Sequence, residues 1–305
     1  MRIFVTGASG FAGRHLVREL ARQGWTVYGL IRRPQQARML RALGAIPVPG
    51  DITRPATLHR AVRLSRPDAA VHLAAMAFVP DVQKDPLRAR RVFVEGTENL
   101  LKALPPSCRI LFVSSGMVYA PASRTLPDES TPPMPANPYG ALKLEAEIRA
   151  LALRSDVLIA RPFNHAGPGQ DPRFVVSDFA RQIARIEAGL QEPVMTVGDL
   201  RSRRAFLDVR DVARAYALLL KKGRPGTVYN VSGPEVSIES LLQGLRRLST
   251  AKVRVTSSAD RRRGTSRFAG SAARLRRETG WKPRIPLSKT LKDVLSEWRK
   301  QETPR

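Results

Sequence analysis

The sequence predicts an α/β protein built on a doubly wound parallel sheet, with a smaller C-terminal substrate-binding domain. Three observations lead there. Short apolar runs alternate with amphipathic stretches through the first half, three glycines (Gly7, Gly10, Gly13) follow the first apolar run, and the rhythm becomes irregular beyond Asn164. Strand-then-helix repetition of this kind builds βαβ units, whose strands are covered on both faces and so read as continuous apolar runs.

Taken in order, Ile3 to Gly7 reads as the first strand and the FAGRHLVRELARQG stretch as its crossover helix. Strand WTVYGLI, helical PQQARMLRALG, strand IPVPGD, helical RPATLHRAVRLS and strand DAAVHLAA continue the pattern. A single long helix is expected from about Val82 to Leu104, stopped by Pro105 and Pro106. Strand RILFVSS, a Pro-rich loop over Pro121 to Pro138, helix YGALKLEAEIRALALR and strand VLIARPF complete the first half. A helix and strand between Asp208 and Asn230 are placed to rejoin the sheet. The expected division is a nucleotide-binding domain over 1–163 with a returning segment 208–232, and a second domain from 164–207 and 233–305.

With 305 residues and 43% hydrophobic content, the chain can bury a large core and does not read as disordered or fibrous. No apolar run reaches the roughly 18 residues of a membrane span. MRIFVTGASG reads as strand and turn with no secretory leader. The single cysteine, Cys108, cannot form an internal disulfide, fits a reducing cytoplasm, and is expected to be a packing residue. The 52 Lys and Arg residues against 26 Asp and Glu give a net charge of +26, which favours an anionic ligand. The arginines are scattered along the chain without interleaved aromatics, so the charge argues for no membrane and no nucleic-acid partner in particular. No group of residues has metal-ligand spacing.

The glycine triplet sits where a strand hands over to a helix. Gly7 permits the tight turn, Gly10 lets backbone amides approach a pyrophosphate, and Gly13 allows close helix–sheet packing, while the helix N-terminus adds partial positive charge. Phe11 and Ala12 lie within the same loop–helix junction. The second strand ends in Ile31-Arg32-Arg33 with no carboxylate. An acid there would bond a ribose 2′-hydroxyl, whereas arginine suits a 2′-phosphate, so NADP(H) is expected and NAD(H) is the alternative. Asp51 and Ile52, closing the third strand, are placed to meet an adenine, and Leu73-Ala74-Ala75, closing the fourth, would let a cofactor pass closely.

Tyr139 and Lys143 are four residues apart and so share one helix face. A phenol with a pKa near ~10 is a poor acid–base group at neutrality, and an adjacent ammonium is expected to lower that value. The same lysine can hold the nicotinamide ribose. Ser115, at the end of the preceding strand, could polarise a carbonyl beside the tyrosine. His72 and His165 flank these motifs and are expected to be structural hydrogen-bonding residues.

TGASGFAG, HLAA, VSSGMVY, NPYGALKLEAE, RPFNHAGPG and FLDVRD occur in the order seen in the extended short-chain dehydrogenase/reductase family, and the chain resembles that family over essentially its whole length. The family comprises nucleotide-sugar epimerases, dehydratases and reductases with a Rossmann-like sheet. Within it, RPFNHAGPGQDPRFVVSDFARQIARIEAG and GSAARLRRETGWKPRIP most resemble the reductases of GDP-linked 4-keto-6-deoxy-mannose, which form GDP-D-rhamnose. The resemblance implies a catalytic set of Ser115, Tyr139 and Lys143. It further implies substrate contacts from Ser115, Gly116, Tyr139, Asn164, Arg185, Arg204 and Arg261. It also implies a homodimer, with the helical stretches 82–104 and 139–153 paired across a twofold axis.

One departure separates reactions inside the family. The related 4,6-dehydratases carry Thr-Asp-Glu before Val-Tyr, and that Asp and Glu move the protons of water elimination. Here the stretch is Ser115-Gly116-Met117, which leaves that chemistry without an agent and favours reduction. Three further positions depart from the family pattern: Phe93 stands where Asn is usual, Ala205 where Asp is usual, and Gly264 where Glu is usual. Two other readings remain open at this level: a 4-epimerase retaining tightly bound NAD, and a non-catalytic dinucleotide-sensing protein that binds nucleic acid.

Overall fold

A computed structural model describes residues 1–122, 125–257 and 267–302. The first half lays down β1 (Arg2–Thr6), α1 (Phe11–Arg22), β2 (Thr26–Ile31), α2 (Gln36–Ala42), β3 (Ala45–Pro49), α3 (Pro55–Ser65) and β4 (Ala69–His72). It continues through α4 (Val79–Lys84), α5 (Pro86–Arg90), α6 (Gly96–Ala103), β5 (Arg109–Val113), α7 (Pro138–Leu153) and β6 (Leu158–Pro162). The second half contributes β7 (His165–Ala166), α8 (Val175–Glu187), β8 (Val194–Val197), β9 (Arg203–Ala205), β10 (Leu207–Asp208), α9 (Val209–Lys222) and β11 (Val228–Val231). It ends with β12 (Glu235–Ser237), α10 (Ile238–Arg246), β13 (Arg254–Ser257), β14 (Arg267–Phe268), α11 (Ala273–Thr279) and α12 (Leu287–Glu302).

Seven parallel strands form the main sheet in the order β11-β6-β5-β4-β1-β2-β3. Because β1 is flanked by β2 on one side and β4 on the other, the connections leaving β1 and β4 diverge and open a crevice at the carboxyl edge. Alternation along β1 fills both faces: Ile3 and Val5 point into a cluster with Leu16 and Leu20 of α1 and Val212 and Tyr216 of α9. Phe4 points the other way, among Leu58 of α3, Leu100 of α6 and Ala146 of α7. α9 packs against the sheet and β11 pairs with β6 at its edge, with Val228 in register with Ile159.

A separate cluster forms in the second half from Phe179 and Ile183 of α8, Met195 of β8, Leu241 and Leu245 of α10, and Leu291 and Leu295 of α12. Between it and the sheet lies a smaller group containing Tyr119, Phe163 and Phe268.

Two expectations are corrected. The helix expected over 82–104 is broken into α4, α5, a π-helical turn at Arg91–Glu95, and α6. Pro86 has no N–H and excludes Asp85 from helical geometry, so the chain restarts there with the Asp85 carboxylate capping the Arg88 N–H at 3.0 Å. Nor does all of 233–305 pack with 164–207 as a second domain: Ala272 and Leu275 of the α11 region and the fully buried Trp281 belong to the sheet's own core. Trp281 is fixed there because its indole N–H donates to the Asp211 carbonyl at 3.0 Å.

The crevice depends on α1 approaching the sheet without side chains in the way. A Cβ on Gly13 would stand 2.1 Å from the Gly7 carbonyl oxygen, and neither group is free to move. Gly13→Ala is therefore expected to destabilise the protein by about 3 kcal/mol, the upper range for overpacking. A denaturant melt compared with that of the parent protein checks it.

Candidate active site

The crevice is a cleft of about 580 Å³. Gly7, Gly10, Phe11, Ala12 and Gly13 line one wall, and Leu73, Ala74 and Ala75 line it from the end of β4. Gly7 takes a left-handed φ of +68°, and a Cβ there would meet the Ala74 nitrogen at 2.8 Å, so the two loops touch through backbone alone. The N-terminus of α1 is capped by Gly10 with no side-chain hydrogen bond and has no acidic residue in its first turn. Its free N–H groups and dipole are left for an anion.

Beyond β2, the Gln36 side-chain carbonyl accepts from the backbone N–H of Arg32 and Arg33, at 3.1 and 3.0 Å. Its amide donates to Ser9 Oγ at 2.7 Å, tying the strand end to the glycine loop. Arg32 and Asp51 line the cleft and also a neighbouring concavity, whereas Arg33 lines that second concavity alone. Ile52 lines the cleft and is anchored through its carbonyl, which accepts from Asn99 Nδ2 at 3.0 Å.

Ser115 and Tyr139 both open into the cleft. Their meeting is set by α7: Asn137 caps the helix by accepting from the Gly140 N–H at 2.9 Å, and Pro138 fixes the first turn. A Cβ on Gly140 would come within 2.1 Å of the Met117 carbonyl oxygen, so glycine is what lets this helix start lie against the Ser115–Met117 turn. Ser115 Oγ accepts from the Met117 N–H at 3.1 Å.

Lys143 lies behind Tyr139 rather than in the cleft wall, almost fully buried. Its Nζ donates to the Val113 carbonyl at 2.8 Å and faces the rings of Phe93 and Phe112, at 5.1 and 5.4 Å from their centroids. Tyr139 meets Phe93 edge-on at 5.5 Å. Phe93, noted in the sequence as replacing Asn, thus sits beneath both groups, carried there by the π-helical turn, a feature often found at functional sites.

The electrostatics correct the expected direction for the phenol. Burial pushes Tyr139 up to about 12, opposed by its hydrogen bond with Ser115. Burial likewise pulls Lys143 down to about 7, opposed by the Glu147 carboxylate one turn further along. Desolvation therefore governs both groups, and the Ser115 hydrogen bond offsets it only in part at the phenol. A phenol held up in this way is protonated throughout the neutral range.

The two histidines that flank the motifs are both held by hydrogen bonds, and His165 also lines the cleft. Buried His72 is pulled down to about 3 by desolvation and the nearby lysine. Its ring bridges Thr6 Oγ1 at 2.6 Å and Thr97 Oγ1 at 3.0 Å. His165 Nδ1 donates to the Phe163 carbonyl at 3.0 Å while its ring stacks on Phe11 at 5.9 Å. Cys108 is buried, and burial raises its thiol to about 12, which leaves it inert.

Among the described residues, three buried polar atoms of cleft-lining side chains have no hydrogen-bond partner: Ser114 Oγ, Asn164 Nδ2 and Gln170 Oε1. Orphaned groups facing a cavity are ready for a polar ligand. Arg204, on β9, also lines the cleft. Together with the glycine cradle, these groups fit a dinucleotide and a polar second ligand.

Two expected substrate contacts, Gly116 and Arg185, do not gather in the cleft. Gly116 is packed under the Phe163 ring, 2.8 Å from a would-be Cβ, and does not line the cleft. Arg185 pairs with Glu302 at 3.1 Å and donates to the Leu190 carbonyl. Only the first turn of α8 reaches the cleft, and Arg185 lies ten residues along, about 15 Å down the axis. Arg261 lies outside the described residues. Conversely, the motifs missed Gln36, Phe78, Phe163, Gln170, Phe174 and Phe268, all of which line the cleft. Of these, Phe163, Gln170 and Phe174 fall within a stretch quoted for resemblance, the one signal that pointed to them.

A parallel sheet with a glycine turn opening a helix at its switch point, and a Ser–Tyr–Lys group beside it, defines a protein of the short-chain dehydrogenase/reductase class. The chain belongs to the NAD dependent epimerase/dehydratase family, which it matches over residues 3–232. It is 40% identical over 309 residues to a GDP-6-deoxy-D-mannose reductase of Pseudomonas aeruginosa, covering 97% of each chain. Among solved structures it is similar to RMD from Pseudomonas aeruginosa complexed with NADPH, at a TM-score of 0.87 and 39% identity, covering 98% of this chain and 99% of that one. It is also similar to a Thermus thermophilus UDP-glucose 4-epimerase in complex with NAD, at a TM-score of 0.85 and 27% identity, covering 98% and 99%.

Lys143 gives a pH test of its burial. Its folded-state value of about 7 lies below the ordinary 10.5, so between those values the unfolded chain carries a proton that the folded one lacks. Stability therefore rises with pH across that window. Lys143→Met is expected to melt higher than the parent at pH 6 to 7, with the gap closing toward pH 10. Thermal midpoints of both proteins across that range check it.

Proposed function

We propose that this protein is an NADPH-dependent reductase of the C4 ketone of GDP-4-dehydro-6-deoxy-D-mannose, yielding GDP-D-rhamnose. One observation carries the reading. Among the described residues lining the cleft, Asp51 is the single carboxylate, and it also lines the concavity past β2 and β3, away from Ser115 and Tyr139. Among the described residues there is no acid–base pair for water elimination beside Tyr139, and reduction needs none. The 40% identity to a GDP-6-deoxy-D-mannose reductase supports the same substrate.

NADPH, when bound, supplies the hydride. Gly7, Gly10 and Gly13 with the α1 N-terminus hold its pyrophosphate, Arg32 and Arg33 its 2′-phosphate, and Asp51, Ile52, Leu73, Ala74 and Ala75 its adenosine half. Tyr139 then donates its proton to the C4 oxygen as negative charge develops there. A phenol pushed up to about 12 is in the acid form that a reductase requires at neutral pH. Ser115 hydrogen-bonds the same oxygen, and the Lys143 charge behind the ring stabilises the resulting phenolate. Asn164 and Arg204 hold the sugar diphosphate, so binding energy away from the reacting carbon fixes which sugar face is presented.

The enzyme works in the cytoplasm as a homodimer. Support for pairing comes from Leu87 on α5 and Ile148 on α7, which are 78% and 59% exposed on the stretches the sequence marked for a twofold interface. No helix among the described residues is long and apolar enough to cross a membrane.

The test is consumption of NADPH with GDP-4-dehydro-6-deoxy-D-mannose and identification of the sugar formed. No consumption overturns the assignment, and tightly bound NAD released on denaturation would favour the epimerase reading instead. Tyr139→Phe is expected to lower kcat by at least about 10²-fold while leaving NADPH affinity within a few-fold. Arg32→Ser with Arg33→Ser is expected to raise the KM for NADPH by at least about tenfold and to leave that for NADH nearly unchanged. Steady-state kinetics with both reductants checks each.

A further inference from the structure

Below the Tyr139–Lys143 turn lies a buried charge pair with no part in the reaction as described. Glu147 is one turn along α7 from Lys143, and its side chain is 3% exposed. Arg161, on β6, grips it bidentately: Nε donates to Oε1 at 3.0 Å and Nη2 to Oε2 at 2.6 Å. The remaining guanidinium donor, Nη1, reaches the Tyr119 hydroxyl at 2.7 Å, and that hydroxyl donates to Asn230 Oδ1 at 3.1 Å on β11. Asn230 is pinned in turn, its N–H donating to Glu129 Oε1 at 2.7 Å. A chain of polar contacts therefore runs from the helix bearing Tyr139, through β6, to the strand that rejoins the sheet edge.

A buried ion pair of this kind costs desolvation that its own attraction hardly returns, so stability alone is a weak reason for it. Its place suggests another. The groups facing Lys143 are Tyr139 and Glu147 on its own helix and His72 on β4, with Arg161 on β6 behind Glu147. The rings of Phe93 and Phe112 and the Val113 carbonyl complete the surroundings. His72 is neutral in its hydroxyl bridge, which leaves Glu147 as the anion next to the lysine. Arg161 holds that carboxylate in place through two hydrogen bonds, and burial keeps water from screening its charge.

Resting on the assignment of Tyr139 and Lys143 above, we infer that Glu147, held by Arg161, is a positioning residue whose negative charge keeps Lys143 an ammonium while Tyr139 gives up its proton. Loss of Glu147 leaves the Arg161 cation buried near the lysine without its counter-charge, so Lys143 sheds its proton at lower pH. The basic limb of the kcat–pH profile then moves toward acid.

The measurement is the pH dependence of kcat for the parent protein, Glu147→Gln, the double variant Glu147→Gln/Arg161→Met, and Lys143→Met. Glu147→Gln is expected to shift the basic limb down by about one pH unit or more. The double variant, which folds without an unpaired buried cation, is expected to shift it in the same direction by less. A limb at the parental pH in the double variant, and in Glu147→Gln where that variant folds, with kcat lowered or not, overturns the inference and makes the pair a packing feature. Full activity in Lys143→Met instead overturns the assignment of the lysine itself, so the two failures are told apart.

Discussion

The contact on which the rest depends is the meeting of three backbone segments at the switch point between β1 and β4. Gly13 lies against the Gly7 carbonyl, and Gly7 against the Ala74 nitrogen, at distances that leave no room for a Cβ. Side chains are excluded there, so the α1 N-terminus opens directly into the cleft instead of being covered by its own residues. Its N–H groups and dipole are thereby directed at the cleft, where the proposed function places a pyrophosphate. Ser115 and Tyr139 line the same cleft because β5 neighbours β4, and α7 returns over the end of β5.

The second governing constraint is electrostatic. Tyr139 and Lys143 are moved in opposite directions by one cause, the removal of water, and each is thereby pushed toward its neutral form. A neutral phenol is a proton donor; a lysine near neutrality is a charge that its surroundings can tip. Phe93 and Phe112 present ring faces to that charge, and Glu147 presents a carboxylate stabilised from beneath by Arg161. The site is thus poised by burial and trimmed by a few nearby groups.

Much of the fold was legible because its signals are local and periodic. β1 to β6 follow apolar runs, and the glycine spacing marks the one turn where a side chain cannot be tolerated. The long helix failed because apolar spacing from Val82 to Leu104 is continuous while the backbone is not: Pro86 interrupts hydrogen bonding without interrupting the pattern. The 233–305 unit failed because Trp281 packs on α9, a partner some seventy residues earlier, and nothing in the local sequence announces it. Arg185 failed for a related reason: a basic residue within a resembling stretch does not reveal which end of its helix faces the cleft.

By itself the sequence determined the strand–helix alternation, the phosphate turn, the arginines after β2, the pairing of Tyr139 with Lys143 on one helix face, and the missing carboxylates at Gly116 and Met117. Each follows from residue type at fixed short spacing, where covalent geometry alone places neighbours. Tertiary structure alone decided that Lys143 bonds the Val113 carbonyl, that Phe93 lies under both it and Tyr139, and that Glu147 is paired with Arg161. It also decided that the phenol is raised instead of lowered. Those outcomes depend on how much water is excluded and on which distant groups arrive, and desolvation is a property of packing that no spacing along a chain encodes.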